Sequence, residues 1–279
     1  MSPFYRVADL GGHVADFTRI RNVKQNHKGK RGTEMDFLTL FISLRCTQAC
    51  EHCLYGCTPE YGEHMSWDVF TKSVEIAKES QIPTLNFFGG EPLLNPHFFM
   101  MLQTALENSL DLMVATNCRP LAKDEFFAEF LDVTKQYKER MVIFTPRDKF
   151  HLKFFDPAEV INRLRRERYN IVVQYGCDHT VVLSEHNVHN QELRKLNTHG
   201  SCKLSWTDYL GVLPEGGWTI CPASLEAFGN IFSDSLEEIT GFKRELPLRY
   251  EEGCTECLKD FKGFRKEFET SRVTKELRI

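Results

Sequence analysis

Residues 37–53 read FLTLFISLRCTQACEHC and join an apolar run, typical of a buried strand, to three closely spaced cysteines. The run Phe37–Leu44 has the length and the aliphatic and aromatic content expected of a strand inside a sheet. Cys46, Cys50 and Cys53 follow it directly. In parallel α/β architecture, ligand sites lie at the carboxyl ends of the strands. The loop of residues 45–53 is therefore the first candidate site.

Beyond this loop, strand-like runs alternate with amphipathic, helix-like runs. The predicted strands are Phe37–Leu44, Thr84–Phe88, Leu110–Thr116, Met141–Phe144, Asn170–Tyr175 and Thr180–Leu183. The predicted helices are Trp67–Glu79 with Ser66 as its N-cap, Pro96–Ser109, Lys123–Lys138 and Pro157–Arg168. Alternation at this spacing implies parallel strands joined by helical crossovers. The predicted fold class is α/β, with the sheet forming an open or partly closed barrel.

The composition excludes several classes of protein. The 279 residues are 42% hydrophobic and 27% charged, which is ordinary globular composition. The net charge of -4 argues against a dedicated nucleic-acid binder, which is usually basic. No uncharged apolar run approaches the ~18 residues of a membrane helix, and no secretory signal is visible, so we expect a cytoplasmic protein without a membrane partner. In that reducing compartment, the ten cysteines are expected to bind metal or react rather than form disulfides.

The spacing of Cys46, Cys50 and Cys53 suits a metal centre built on soft thiolate ligands. Three thiolates can bind three corners of a cubane iron–sulfur cluster and leave the fourth iron open to a small chelating molecule. Zinc is the alternative, and it would need a fourth protein ligand such as His52 or Cys57.

The C-x3-C-x2-C spacing after the first strand resembles the motif of the radical S-adenosylmethionine (radical SAM) superfamily. In that family an aromatic residue often precedes the last cysteine, and His52, in that place, would pack near the adenine. One βα unit later, FFGGEP at residues 87–92 resembles the family's Gly-Gly-Glu-Pro turn. The resemblance covers roughly residues 36–195 and implies a partial (β/α)6 TIM-like barrel as the radical SAM core.

The resemblance also implies residues that bind the cofactor. Gly89, Gly90 and Glu91 would hold the amino group of S-adenosylmethionine, since glycines allow close backbone approach and a carboxylate pairs with an ammonium. The segment ATNC, residues 115–118, is similar to the family's Thr-Asn-Gly segment, with cysteine in place of glycine. Asn117 would then face the cofactor, or else serve as a turn residue.

The chemistry implied by the resemblance is radical formation. A reduced [4Fe–4S] cluster gives one electron to S-adenosylmethionine, and the resulting 5′-deoxyadenosyl radical takes a hydrogen atom from an unactivated C–H bond. Asp148 and His151 lie in a segment similar to the Asp-x-Phe-His of some members. At the barrel mouth they would hold substrate or relay a proton, or else cap the loop.

The cysteine pattern changes after about residue 195, where a smaller module with a hairpin turn at residues 215–217 is predicted. Its pattern C-x13-G-x4-C followed by C-x2-C resembles the twitch domain, the shorter relative of the SPASM domain. The four expected ligands of an auxiliary [4Fe–4S] cluster are Cys202, Cys221, Cys254 and Cys257, with a zinc site as the alternative. The predicted organisation is an extension (1–35), the core (36–195), the twitch-like domain (196–258) and a charged helical tail (259–279).

Three functions are compatible with this pattern. The favoured one is a dehydrogenase-like oxidoreductase acting on a small polar alcohol, as in members of the 2-deoxy-scyllo-inosamine dehydrogenase type, with the auxiliary cluster taking the second electron. The alternative is redox-neutral modification of a ribosomal peptide, by epimerisation or crosslinking, for which Cys57, Cys118 or Cys177 could return a hydrogen atom. The third is a non-catalytic iron–sulfur carrier, against which the Gly-Gly-Glu turn argues. An electron donor such as flavodoxin or ferredoxin is expected as a partner.

The ligand assignment leads to a first prediction. Simultaneous Cys46→Ala, Cys50→Ala and Cys53→Ala substitution should leave about four irons per chain, because the C-terminal cysteines still ligate one complete cluster. The same variant should form no 5′-deoxyadenosine with dithionite and S-adenosylmethionine. Iron analysis and chromatography of the reaction check both results. A triple variant that binds no iron would contradict the auxiliary-cluster assignment.

Overall fold

The computed structural model describes residues 35–50, 53, 55–174, 209–220, 225 and 227–249, with the backbone alone for 244–249. The predicted strand Thr180–Leu183, residues 1–34 of the extension, the boundary at 195/196 and the charged tail lie outside this part of the chain. None of the helices found within these ranges has both the length and the apolar content needed to cross a membrane.

The sheet confirms the predicted α/β class. Its strands are β1 Phe37–Ser43, β2 Thr84–Gly89, β3 Asp111–Ala115, β4 Met141–Pro146, β5 Asn170–Gln174, β6 Gly211–Val212 and β7 Trp218–Thr219. The order across the sheet is β5-β4-β3-β2-β1-β6-β7. Neighbours from β5 through to β6 pair in parallel, and β7 pairs antiparallel with β6. The carboxyl ends of β1 to β5 therefore lie at one edge of the sheet, as the alternating pattern predicts.

Helices cover the connections between successive parallel strands. They are α1 Trp67–Glu79, α2 Phe98–Glu107, α3 Asp124–Thr134 and α4 Ala158–Arg166, and α5 Leu236–Arg249 follows the last hairpin. The helix predicted from Pro96 starts two residues later, because Asn95 holds the chain in a turn. Its Nδ2 donates to the carbonyls of Ile42 (2.7 Å) and Met65 (3.0 Å), and its Oδ1 accepts from the His97 N–H (2.8 Å). The helix predicted to reach Lys138 ends at Thr134, before a separate 3-10 turn at Lys138–Arg140.

The two faces of β1 have different surroundings, as the period of two in a strand requires. Leu38, Leu40 and Ile42 belong to the buried apolar core, which the crossover helices share. The other face carries Phe41, which packs edge-on against Phe88 of β2, with 5.4 Å between ring centroids. Phe41 also packs edge-on against Tyr55, which follows the last motif cysteine, at 5.3 Å. An aromatic cluster thus anchors the far end of the cysteine loop on the sheet.

The β6–β7 hairpin joins the same sheet on the free side of β1. Thr39 and Leu40 of β1 are in register with Gly211 and Val212. The predicted turn at residues 215–217 is present, and Gly216 adopts a φ of 89° there, in the left-handed region that favours glycine. Trp218 and α5 residues such as Ile239 are fully buried in the core that also contains β1. The strand that leads to the cysteine loop therefore has a neighbour on each side.

The N-cap of α1 allows a test of the local structure. The Ser66 side chain accepts a hydrogen bond from the Val69 N–H (3.3 Å), whereas Ser80 at the other end of the helix acts through its backbone N–H. Ser66→Ala should lower the free energy of unfolding by about 1 kcal/mol, because a first-turn donor loses its partner. Ser80→Ala, the matched control, should change it by no more than about 0.5 kcal/mol. Equal losses for both variants in urea titrations would contradict the cap assignment.

Candidate radical SAM site

The cysteine loop is held against a returning segment of its own chain. The Leu44 N–H donates to the Glu63 carbonyl (2.8 Å), and the Cys46 N–H donates to the Thr58 carbonyl (3.0 Å). The Arg45 guanidinium donates to the Pro59 carbonyl (2.6 Å). Residues 58–65 therefore run back along 42–46 and fix where Cys46 emerges from β1. Cys46 is buried, whereas Cys50 and Cys53 are partly exposed.

The turn after β2 packs on the backbone just before Cys46. The Gly90 N–H donates to the Ser43 carbonyl (2.7 Å), and the Glu91 N–H donates to the Arg45 carbonyl (2.8 Å). A Cβ atom on Gly89 would overlap the Ser43 carbonyl oxygen, and one on Gly90 would lie 2.5 Å from the Arg45 carbonyl oxygen. Gly89 also has a φ of 132°. The two glycines are therefore required by backbone-to-backbone contact, and this contact joins the two motifs that the sequence separates.

Glu91 lies inside the protein and its carboxylate braces three segments. It is 0% exposed. Its Oε1 accepts from the Thr116 hydroxyl (2.8 Å) and the Leu93 N–H (3.2 Å), and its Oε2 accepts from the Asn117 N–H (2.9 Å). Burial raises the pKa of Glu91 to about 7, against the lowering effect of these donors. The carboxylate thus connects the β2 turn to the end of β3, a role that the sequence did not reveal. Its contact with the amino group of S-adenosylmethionine stays a prediction.

Asn117 extends this brace to the cysteine loop. Its Nδ2 donates to the Thr47 hydroxyl (3.0 Å) and lies 3.6 Å from the Cys46 sulfur. The Arg119 guanidinium donates to the Thr47 carbonyl (2.8 Å). Cys118 has a φ of 62°, which explains why the resembling family segment has glycine there. The sequence pointed to Asn117 but not to Thr47, which is an unspecified position of the cysteine motif, or to Arg119, which lies outside both motifs.

Asp148 and His151 form a pair in the loop after β4. The Nδ1 of His151 lies 2.8 Å from Oδ2 of Asp148, and Oδ1 of Asp148 accepts from the N–H groups of Phe150 (2.8 Å) and His151 (3.1 Å). Burial opposes ionisation of Asp148, but the hydrogen bonds and charge of His151 outweigh it and lower its pKa to about 2. Asp148 thus caps the loop and also orients the imidazole, and a role of the pair toward substrate or a proton stays a prediction.

The thiols have the donor chemistry of an iron–sulfur site. Burial, and to a smaller extent the negative charge of Glu91, raises the pKa of the Cys46 thiol to about 12. A bound cation is therefore needed to keep Cys46 as a thiolate at neutral pH. The Cys57 thiol donates to the Cys53 sulfur and lowers the pKa of Cys53. The described residues contain no cluster of three or more histidine, cysteine or acidic side chains close enough to hold one metal ion. Three soft sulfur donors on one short loop nevertheless fit a cluster by their chemistry.

An open cavity of about 300 Å³ lies beside Cys46. It is lined by Arg45, Cys46, Thr47, Pro59, His64 and Leu94. The Nδ1 atom of His64 is buried without a hydrogen-bond partner in the described part of the chain. Burial, with the nearby Arg45 charge, lowers the pKa of His64. The cavity thus offers a neutral imidazole and a guanidinium next to Cys46.

Several predicted residues lie outside the described residues. They are His52, Cys177 and the four expected auxiliary ligands Cys202, Cys221, Cys254 and Cys257. The structure therefore brings together Cys46, the Gly-Gly-Glu turn and Asn117, and it pairs Asp148 with His151. In the sheet order, β3 and β2 lie between the strand carrying that pair and β1.

Comparisons with known proteins agree with this geometry. Residues 40–170 match the sequence profile of the radical SAM superfamily. The tungsten-containing aldehyde ferredoxin oxidoreductase cofactor-modifying protein of Pyrococcus furiosus is 29% identical over 101 residues, which are 36% of this chain and only 28% of that protein.

Two groups of solved structures share the fold. BtrN in complex with AdoMet and 2-DOIA superposes with a TM-score of 0.57 at 14% identity, over 79% of this chain and 92% of BtrN. The structure of anSMEcpe with AdoMet and the Cp18Cys peptide gives a TM-score of 0.50 at 15% identity, over 76% of this chain and 81% of that one. At these identities, the likeness establishes the fold of the core.

The contact between the two motifs can be tested at Gly90. Gly90→Ala should displace the backbone at Arg45, because the new methyl group would lie 2.5 Å from its carbonyl oxygen. We expect the iron bound by the first cysteine group and the yield of 5′-deoxyadenosine to fall at least about tenfold. Gly241→Ala in α5 is the matched control, since its added methyl group meets no atom within 4 Å. Normal iron content and 5′-deoxyadenosine yield in Gly90→Ala would show that the turn tolerates displacement.

Proposed function

We propose that this chain, whose residues 40–170 match the sequence profile of the radical SAM superfamily, is a radical SAM oxidoreductase that removes two electrons from a small polar alcohol or a similar substrate. Cys46, Cys50 and Cys53 would hold a [4Fe–4S] cluster, and S-adenosylmethionine would bind beside it. When bound, these groups supply a 5′-deoxyadenosyl radical that accepts a hydrogen atom from substrate.

The observation that carries the proposal is the contact between the Gly89–Gly90 turn and the backbone preceding Cys46. In this contact, Glu91, whose carboxylate is buried, donates its N–H to the carbonyl of Arg45, the residue that precedes Cys46. Asn117, bonded to Thr47 and close to the Cys46 sulfur, closes the same site from β3. An iron–sulfur carrier would have no need of a second motif packed against its cysteine loop.

The Asp148–His151 pair supports the oxidative form of the reaction. The ionised Asp148 would accept the Nδ1 proton of His151, and the neutral tautomer with its lone pair on Nε2 would then serve as the base. When an alcohol is oxidised, its carbinol carbon loses a hydrogen atom, its hydroxyl group loses a proton and one further electron leaves. His151 would take the proton. The remaining electron would be accepted by an auxiliary cluster, for which the expected ligands are Cys202, Cys221, Cys254 and Cys257.

Redox-neutral modification of a ribosomal peptide is the alternative. It requires a group that returns a hydrogen atom to the substrate radical, and cysteine is the natural choice. Of the remaining cysteines that the structure describes, Cys57 is 5% exposed and Cys118 is 0% exposed. Cys57 is also committed to a hydrogen bond with Cys53. The BtrN structure contains the small molecule 2-DOIA, and the anSMEcpe structure contains a peptide. Both small molecules and peptides are therefore included among the substrates to be tested.

The proposal is tested on anaerobically reconstituted protein with dithionite and S-adenosylmethionine. We expect 5′-deoxyadenosine, about eight irons per chain if both clusters are present, and substrate oxidised without uptake of hydrogen from solvent. The reaction is run in deuterated water with candidate alcohols and with peptides, and the products are analysed by mass spectrometry. Absence of 5′-deoxyadenosine would falsify the whole proposal. One solvent deuteron per product would instead establish the redox-neutral alternative.

The role of the pair is tested by Asp148→Asn. An asparagine amide would donate to Nδ1 of His151 and force its proton onto Nε2, so the base is lost while the loop keeps a cap. We expect the rate of substrate oxidation to fall about 100-fold, which is a typical contribution of a general base. Formation of 5′-deoxyadenosine in the absence of substrate should be unchanged. Asp156→Asn is the control, because Asp156 is an exposed carboxylate of the same loop that pairs with Arg147 (2.9 Å). Equal oxidation rates in the two variants would remove His151 from the mechanism.

A further inference from the structure

Gln48 occupies the interior of the cysteine loop. It lies between Cys46 and Cys50 in sequence and is only 2% exposed. Its Oε1 accepts a hydrogen bond from the Cys50 thiol, with 3.4 Å between sulfur and oxygen. Its Nε2 is buried and has no hydrogen-bond partner among the described residues. A buried amide donor without an acceptor costs about 1–3 kcal/mol, so its retention calls for a partner in the working protein.

The partner follows from the chemistry of a cluster ligand. A cysteine that binds iron is a thiolate, and a thiolate has no proton to donate and can only accept hydrogen bonds. The bond from Cys50 to Oε1 is therefore lost when Cys50 becomes a ligand. Rotation of the Gln48 carboxamide about its terminal torsion exchanges Oε1 and Nε2 and brings the unpartnered N–H group to the sulfur.

At Cys46, a second cysteine of the motif, the Asn117 carboxamide already donates its N–H group to the sulfur. Its Nδ2 lies 3.6 Å from the Cys46 sulfur while it also donates to Thr47. A carboxamide therefore accompanies each of two ligand sulfurs, one from inside the loop and one from the end of β3. Hydrogen bonds to the sulfurs are among the factors that set the reduction potential of an iron–sulfur cluster.

We propose that Gln48 is a positioning residue whose Nε2 donates a hydrogen bond to the thiolate of Cys50 in the cluster-bound protein, and so makes the cluster easier to reduce. The sign follows from charge. The reduced cluster carries one more negative charge than the oxidised one, so a donor aimed at its sulfur stabilises the reduced form more. This inference rests on the proposed function, since it requires a cluster on Cys46, Cys50 and Cys53.

Gln48→Met tests the inference, because methionine fills a similar volume without an N–H group. The midpoint potential is measured by anaerobic titration, following the paramagnetic signal that disappears in the triple cysteine variant. We expect a more negative potential, with the reduced fraction at a fixed potential falling roughly tenfold, equivalent to about 59 mV for one electron. Thermal unfolding of the cluster-free protein is measured alongside and should be unchanged or improved, because the variant no longer buries an unpaired donor.

Gln103→Leu is the matched control, since its carboxamide lies on α2 and donates to Glu107 (2.7 Å), away from the cluster loop. Its potential should equal that of the parent protein. An unchanged potential in Gln48→Met overturns the inference, as does a loss of stability of the cluster-free variant, which would show that the amide supports the fold itself. If Gln48→Met binds no iron, Gln48→Leu, which also lacks an N–H group and adds no charge, is measured in its place. A parent protein without a SAM-cleaving cluster would instead refute the proposed function.

Discussion

Contact between two backbones is the constraint on which the candidate site depends. The turn at Gly89 and Gly90 lies directly on the carbonyl groups of Ser43 and Arg45, where even a methyl group would collide. Two hydrogen bonds close the contact, and both end within three residues of Cys46. Because neighbouring parallel strands end at the same edge, motifs at the ends of β1 and β2 are brought together by the register of the sheet.

A buried carboxylate carries this contact to the next strand. Glu91 satisfies donors from Leu93, Thr116 and Asn117. Asn117 in turn reaches Thr47 inside the cysteine motif. Burial of a carboxylate is unfavourable unless its oxygens are hydrogen-bonded. If any one strand end were displaced, a buried polar group would lose its partner, so the strand ends are held in one arrangement. The site is therefore built from mutually dependent contacts across β1, β2 and β3.

The C-terminal hairpin completes the support of β1. Pairing with β6 gives the first strand a neighbour on each side, and the aromatic rings of Phe41, Phe88 and Tyr55 pack edge-on at the sheet surface beyond the cysteines. A loop that must present three thiols in a set arrangement benefits from a strand that is paired on both sides. Preorganisation of this kind lowers the cost of ordering the loop when its ligand binds.

The alternation of strands and helices, the N-cap of α1, the hairpin turn at residues 215–217 and the two motifs that meet at the site could all be predicted from sequence patterns. These are local signals, because hydrophobic period, capping residues and cysteine spacing each involve residues that are close in the chain. The three-dimensional arrangement was needed to show that Glu91 is an internal brace and that Thr47 and Arg119 contact the site. It was also needed to show that Asp148 orients His151 and that the hairpin pairs with β1. Each of these depends on residues far apart in the chain, or on which polar atoms are buried together, and single-sequence patterns do not encode either.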